Sequence, residues 1–171
     1  VEDDIACAAR ALLPAAHRRI HTGLGVSPLH LAKLNLTPKQ AAQRAGEAVA
    51  YARTLVDEVQ FYAEDATRAD RAVLRDVFEA AIEAGATIIN VPDTTGYTYP
   101  EEFADLITFV KREVVRDRDV VISIHCHDDL GLATANSLAG VRAGATQVEC
   151  TINGVGERAG NAATEEVVMA L

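Results

Sequence analysis

Two histidines stand one residue apart at the end of an apolar run, in Ile122-Ser-Ile-His-Cys-His-Asp-Asp-Leu-Gly131, in a chain with only five histidines. On a strand, residues i and i+2 face the same side. His125 and His127 therefore point together, with Ser123 below them, while Ile122, Ile124 and Cys126 form the opposite face. Two neutral imidazoles at a strand end can begin a divalent-metal site. The same pair could equally be two satisfied polar histidines in a loop, and the spacing alone leaves both readings open. A metal site would also need an oxygen ligand and open positions for substrate. A source of that oxygen follows the last apolar run, in Asn153-Gly-Val-Gly-Glu-Arg-Ala-Gly-Asn161. Glycines there permit close backbone approach and positive φ. A plain turn has little use for Glu157, Arg158 and Asn161 together.

Elements that could position these residues alternate along the chain. Five β-rich runs are expected at Arg19–Val26, Glu58–Ala63, Thr87–Val91, Val120–Cys126 and Gln147–Ile152. Between them lie helical patterns. Thr37-Pro-Lys-Gln40 reads as a capping box with Pro38 at the first helical position, opening a helix to Thr54. Asp70–Ala84 places Val73, Leu74, Val77, Phe78, Ala81 and Ile82 on one face and stops at Gly85. Further helices are expected from Pro100, with two acids in its first turn, over Asp129–Ala143 before Gly144, and at the N-terminus over Glu2–Leu13. Ala-Gly-Ala-Thr occurs at both 84–87 and 143–146, marking equivalent helix-to-strand junctions. Strand starts recur roughly every 30 residues, the length of one βα unit. Alternating strands and helices imply a parallel sheet. No Gly-x-Gly-x-x-Gly follows the first strand, which weakens a dinucleotide-binding reading. Polar residues gather instead towards the strand C-termini (His21 and Thr22, Glu64 and Asp65, Asp93 and Thr94, His125 and His127, Asn153), as in a (β/α)8 barrel.

Composition narrows the class. The 171 residues are 49% hydrophobic and 24% charged, with a net charge of −9. That is an ordinary single-domain composition, and its acidity argues against nucleic acid or an anionic membrane as partner. No apolar run is long enough to span a membrane, and Val1-Glu-Asp-Asp has no basic segment of a signal peptide. Cys7, Cys126 and Cys150 are widely spaced and odd in number, which suggests neither a disulfide framework nor a thiolate zinc site. A reducing, cytoplasmic setting is expected.

The stretch "SIHCHDDLGLATANSLAGVRAGATQVECTINGVGERAGNAATEEVVMAL" resembles the 2-isopropylmalate synthases, within the metal-dependent Claisen condensing enzymes and lyases built on TIM barrels. "RIHT" (19–22), "AEDATR" (63–68) and "AAIEAGATIINVPDTTGYTYPEEF" (80–103) resemble the same family. His-x-His alone is weakly specific; combined with Gly-x-Gly-Glu-Arg-x-Gly-Asn it is strong. The resemblance implies an α/β TIM barrel, with residues 1–171 as one partial catalytic domain covering about the last five βα units. It implies a divalent metal (Zn, Mn or Mg) on His125 and His127, with Asn161 as ligand or holding a water. It implies Thr94 on the carboxylate of a 2-oxo acid, His21 and Tyr62 as further substrate-binding residues, and Glu64 beside the bound oxo acid as a catalytic residue. The implied reaction joins acetyl-CoA and 2-oxoisovalerate in leucine biosynthesis, in an enzyme expected to be a homodimer at full length.

Two departures bear on this expectation. The family's first-strand Asp-x-x-Leu-Arg-Asp-Gly-type motif, source of a metal carboxylate and an arginine, does not occur here. The chain is therefore expected to start before the fourth barrel strand and stop after the eighth, without a linker or regulatory domain, and its isolated activity is expected to be nil. Further, Gly23 stands where the family pattern has Phe, and Tyr62 where it has Ser. If both face the lumen, this is a roughly volume-conserving exchange, and it brings citramalate synthase into view beside homocitrate synthase. A hydrolase of the other His-x-His barrel type would carry more histidines downstream, and none follows His127. An inactive partial domain that associates through bare sheet edges is the non-enzymatic alternative.

Overall fold

A computed structural model describes residues 1–171. In chain order the elements are α1 (Glu2–Ala11), β1 (Arg19–Gly25), α2 (Pro28–Leu34), α3 (Pro38–Arg53), β2 (Glu58–Glu64), α4 (Arg71–Glu83), β3 (Ile88–Asp93), α5 (Pro100–Phe109), β4 (Val121–Cys126), α6 (Ala133–Ala143), β5 (Gln147–Glu149) and α7 (Thr164–Ala170). The five strands form one sheet in the order β1-β2-β3-β4-β5, and every pairing is parallel. All five C-termini therefore open onto the same end.

Local chemistry sets most boundaries. Thr37 Oγ1 accepts from Gln40 N at 3.3 Å while Gln40 Oε1 accepts from Thr37 N at 2.9 Å, so the expected capping box starts α3. The Asp70 carboxylate accepts from Ala72 N at 2.8 Å and starts α4. Gly85, at φ 106°, lets the chain leave α4 in a left-handed turn. Three expectations are corrected. The helix expected from Asp129 begins only at Ala133, because Gly131 turns the chain at φ 69° and Asp129 is paired with Arg158. Its first turn is held by Asp128 Oδ1, which accepts from Ala133 N at 2.9 Å. The last strand ends at Glu149 rather than Ile152, where the chain turns into the glycine loop with Asn153 at φ 57°. The short helix α2 was not anticipated at all, although Ser27-Pro28 is an N-cap followed by proline at the first helical position.

The two sheet faces differ in kind. Val59, Phe61, Ala63, Ile89, Val91, Ile122, Ile124 and Cys126 are buried on one face, in a core shared with α3 to α6. Phe61 meets Phe78 of α4 edge to face at 6.4 Å. Gly140 lets α6 settle onto the same face: a Cβ there would lie 2.7 Å from Ile124 Cδ1 and 3.0 Å from Phe103. The opposite face is polar and hydrogen-bonded across all five strands. Arg19 donates to Gln60 (3.3 Å) and Gln147 (3.0 Å), Gln147 to Ser123 (2.8 Å), Asn90 to Ser123 (2.9 Å), and Gln60 to Glu149.

Phe78, fully buried between α4 and the sheet, should be the costlier truncation of two. Phe78→Ala should lose about 3–5 kcal/mol, and Thr37→Ala about 1 kcal/mol through the lost cap. Urea unfolding of both variants checks the order.

Candidate active site

The polar face leads up to a depression of about 340 Å³ at the C-terminal end of the sheet, lined by His21, Tyr62, Glu64, Thr94, His125 and His127, with Asn90, Pro92, Glu149 and Glu157 completing it. Six of the seven residues expected from sequence thus share one cavity, and Asn161 adjoins it through a backbone bridge to His127. A slightly larger depression of about 370 Å³ lies outside, between residues 66–71 and α5. Its two arginines are already paired, Arg68 with Asp65 and Arg71 with Asp105, and none of the expected site residues lines it.

The imidazoles are fixed from behind. His127 Nδ1 lies 2.6 Å from Thr94 O and His125 Nδ1 lies 3.2 Å from Glu149 O. A carbonyl only accepts, so each Nδ1 carries the hydrogen and each Nε2 keeps a free lone pair. The two rings stand edge to face at 4.8 Å. Arg158 Nη2 also donates to Thr94 O at 2.8 Å, so its 2.7 Å approach to His127 Nδ1 is a contact between two donors on one carbonyl. Burial, reinforced by the neighbouring His127 charge, pushes the His125 pKa down and favours the neutral, ligating form. The His21 pKa is also lowered, mainly by burial, against the opposing pull of Glu149.

The third donor is Asn161. Its Oδ1 is buried with no hydrogen-bond partner, while its Nδ2 makes one long bond to Val155 O at 3.4 Å. The side chain occupies the space above Gly156, where a Cβ would lie 2.6 Å from Nδ2. A buried orphan amide oxygen costs about 1–3 kcal/mol unless something binds it. Two free Nε2 atoms and this oxygen fit a divalent cation such as Zn or Mn. No three His, Cys, Asp or Glu side chains of this chain gather into such a site. The residues that would hold such a cation are His125, His127 and Asn161.

Two buried aspartates organise the rim. Asp93, fully buried, accepts from Thr98 Oγ1 (2.9 Å), Thr98 N (3.2 Å), Thr67 Oγ1 (3.2 Å) and Asn136 Nδ2 (3.3 Å), and its carbonyl accepts from His127 N (3.2 Å). Asp65, also fully buried and at φ 64°, takes both guanidinium arms of Arg68 at 2.8 and 2.7 Å. Burial alone would raise the Asp65 pKa. Hydrogen bonds from Arg68 and Ser27 and the charges of Arg68 and His30 outweigh it and hold the carboxyl below its ordinary value. Asp65 N donates to Thr94 Oγ1 at 2.9 Å, so the Thr94 hydroxyl hydrogen stays available for a substrate oxygen.

His21 corrects one expectation. It sits mid-strand, paired with Gln60, while Glu64 lies further up opposite Gly25. His21 is therefore a deeper wall of the cavity, with its ring edge to face with Tyr62 at 4.7 Å. Gly23 and Tyr62 are direct partners in the register, and a Cβ at Gly23 would run into both the Tyr62 ring and its carbonyl oxygen. The exchange of large and small residues thus occurs within one contact. Glu149, Asn90 and His30 were missed from sequence. Glu149 shares a strand face with Gln147, an alternation that could have revealed it.

A family model described as HMGL-like matches residues 1–171. The chain belongs to this family. It is 57% identical over 172 residues to the 2-isopropylmalate synthase of Aquifex aeolicus (strain VF5), covering 100% of this chain and 33% of that protein. The 2-isopropylmalate synthase of Pyrococcus furiosus is also 57% identical, with 34% of its length covered. The chain thus spans about a third of the length of these relatives. Among solved structures, hydroxymethylglutaryl-CoA lyase from Pseudomonas aeruginosa superposes with a TM-score of 0.77 at 22% identity, covering 94% of this chain and 57% of that one. The HMG-CoA lyase from Brucella melitensis gives 0.76 at 17% identity, covering 99% and 62%. The fold is that of the lyase-like TIM barrels, of which these five parallel strands form a part.

Cys126 points away from the histidines and is fully buried, with its pKa pushed well up by burial. A thiol held protonated among apolar side chains is inert. Native labelling with a thiol reagent should modify exposed Cys7 first and Cys126 only on unfolding, as peptide mass mapping over time will show.

Proposed function

We propose that this chain supplies the metal-binding and oxo-acid-binding side of an active site that condenses acetyl-CoA with 2-oxoisovalerate, giving 2-isopropylmalate and CoA in leucine biosynthesis. The reading is supported first by the similarity to 2-isopropylmalate synthases along the whole chain. The geometric observation that supports it is one depression lined by His125, His127 and Thr94, in which each imidazole has its Nδ1 on a carbonyl and its Nε2 free and the Thr94 hydroxyl keeps a spare hydrogen, with Asn161 bridged to His127 through the backbone. A divalent cation bound there would polarise the oxo acid's carbonyl carbon. This chain's own residues would do the rest of the positioning. Thr94 donates its hydroxyl hydrogen to the substrate carboxylate, Glu64 stands over the reacting centre, and His21 and Tyr62 wall the side-chain end. Hydrolysis of the thioester then releases CoA as a free thiol. An enzyme of full family length carrying this chain should release thiol from acetyl-CoA only when both a 2-oxo acid and Zn, Mn or Mg are present. No thiol release with any 2-oxo acid and any of these metals would refute the reading.

Tyr62 favours a second reading, citramalate synthase acting on pyruvate, because its ring projects where a smaller residue would leave room for an isopropyl group. Tyr62→Ser should shift kcat/KM from pyruvate towards 2-oxoisovalerate by roughly ten- to a hundredfold, as a pocket that distinguishes methylene groups allows. Gly23→Phe alone should be disruptive, since the Tyr62 ring occupies that space. Gly23→Phe in the Tyr62→Ser background should be tolerated better, although the Tyr62 carbonyl still requires a small strand shift. The two changes should therefore be non-additive, and kcat/KM for both oxo acids across the four proteins measures the coupling.

A further inference from the structure

His30 has no part in the reaction as described so far, yet it is the most elaborately held side chain near Glu64. It lies on α2, with its ring filling the space above Gly25, where any Cβ would run into it. Its Nδ1 is 2.8 Å from Ser27 Oγ and 3.5 Å from the buried Asp65 carboxylate. Its Nε2 is 3.5 Å from Glu64 Oε1, an ion-pair distance rather than a tight hydrogen bond. His30 Nδ1 thus faces both the buried Ser27 hydroxyl and the buried Asp65 carboxylate. A carboxylate can only accept, so Nδ1 carries the hydrogen on that side and Ser27 Oγ accepts it. That assignment fixes the tautomer and leaves Nε2 facing the Glu64 carboxylate. Two acceptors facing each other repel unless a hydrogen lies between them.

We propose that His30 is a positioning residue for Glu64: Asp65 and Ser27 hold its ring from behind, and it shares one proton with the Glu64 carboxylate, fixing how that carboxylate meets the oxo acid. Arg68 holds Asp65, Asp65 and Ser27 both face His30 Nδ1, and His30 Nε2 faces Glu64. The Asp65 amide meanwhile fixes Thr94. One buried carboxylate thus sets two substrate-facing groups, Glu64 through His30 and Thr94 through its own backbone. Contacts of this kind commonly tighten once substrate is bound.

The proposal rests on the condensing-enzyme reading, and two amide substitutions separate the failure of one from the failure of the other. Asn places its amide near Nδ1 and keeps the bond to Ser27 but leaves Glu64 without a neighbour. Gln reaches the Nε2 position and presents an N–H to Glu64. In an enzyme of full family length carrying this chain, with the 2-oxo acid that supports thiol release, His30→Asn should lower kcat on the order of ten- to a hundredfold with KM for the oxo acid changed little, and His30→Gln should retain most of kcat. Equal losses in both variants, or none, would overturn the positioning role while leaving the functional reading intact. An inactive parent enzyme would overturn the functional reading, and nitrogen-15 spectra would then decide the pairing by themselves. Glu64→Gln should move the His30 Nε2 resonance and leave its Nδ1 resonance in place; an unmoved Nε2 resonance would show that no proton is shared.

Discussion

The site depends on a carboxylate that should not be cheap to bury. Asp93 ends β3 with no solvent exposure, and an unpaired charge there would be severely unfavourable. Four donors meet it, from the turn after β2, from the Thr98 loop and from α6. Together the donors tie three segments to the same strand end, and the Asp93 carbonyl takes His127 N as well. The loops over the C-terminal end of the sheet are therefore not free to move independently. His127, Thr94 and the start of α6 have defined positions because the charge of Asp93 has to be satisfied.

Below that rim the sheet's polar face does a second job. Gln60, Asn90 and Ser123 are buried polar side chains, and each finds a partner across the strands. A fully satisfied polar layer specifies one register, since a slip by one residue would turn these groups into the apolar core on the opposite face. The register in turn sets His125 opposite Glu149 and Pro92. The Glu149 carbonyl then accepts from His125 Nδ1 and leaves Nε2 free. The imidazole geometry at the top of β4 is thus inherited from hydrogen bonds lower in the sheet.

Much of this was legible from residue order. Period-two alternation put His125 and His127 on one face and Cys126 on the other. The helices that carry clear caps, α3 and α4, were bounded to within about a residue. Where the reading missed, tertiary contacts had overridden local pattern. Asp129 looked like the start of α6 but is held by Arg158, 29 residues away in sequence and adjacent in space. Glu149 was not singled out from the sequence, and its carbonyl meets His125 only because β5 lies against β4. His30 carried no periodic signal because α2 has only seven residues. Asn161 was named from the resemblance; what the structure adds is a physical reason, an amide oxygen left without a partner.

The first strand shows how absent side chains can position present ones. Gly23 and Gly25 lie on the same face of β1, and neither adopts a positive φ. Their value is space rather than conformational freedom. Gly23 admits the Tyr62 ring and Gly25 admits the His30 ring. One ring comes from the neighbouring strand and the other from the helix that follows, and they flank Glu64 from two directions. A side chain at Gly23 would displace the Tyr62 ring, a wall of the cavity, and one at Gly25 would displace the His30 ring beside Glu64. Under the proposed function, the ring at Gly23 would bear on which oxo acid fits and the ring at Gly25 on how Glu64 is held. The seat of the Tyr62 ring and the seat of the ring beside Glu64 are therefore separable in this strand, two residues apart on one face.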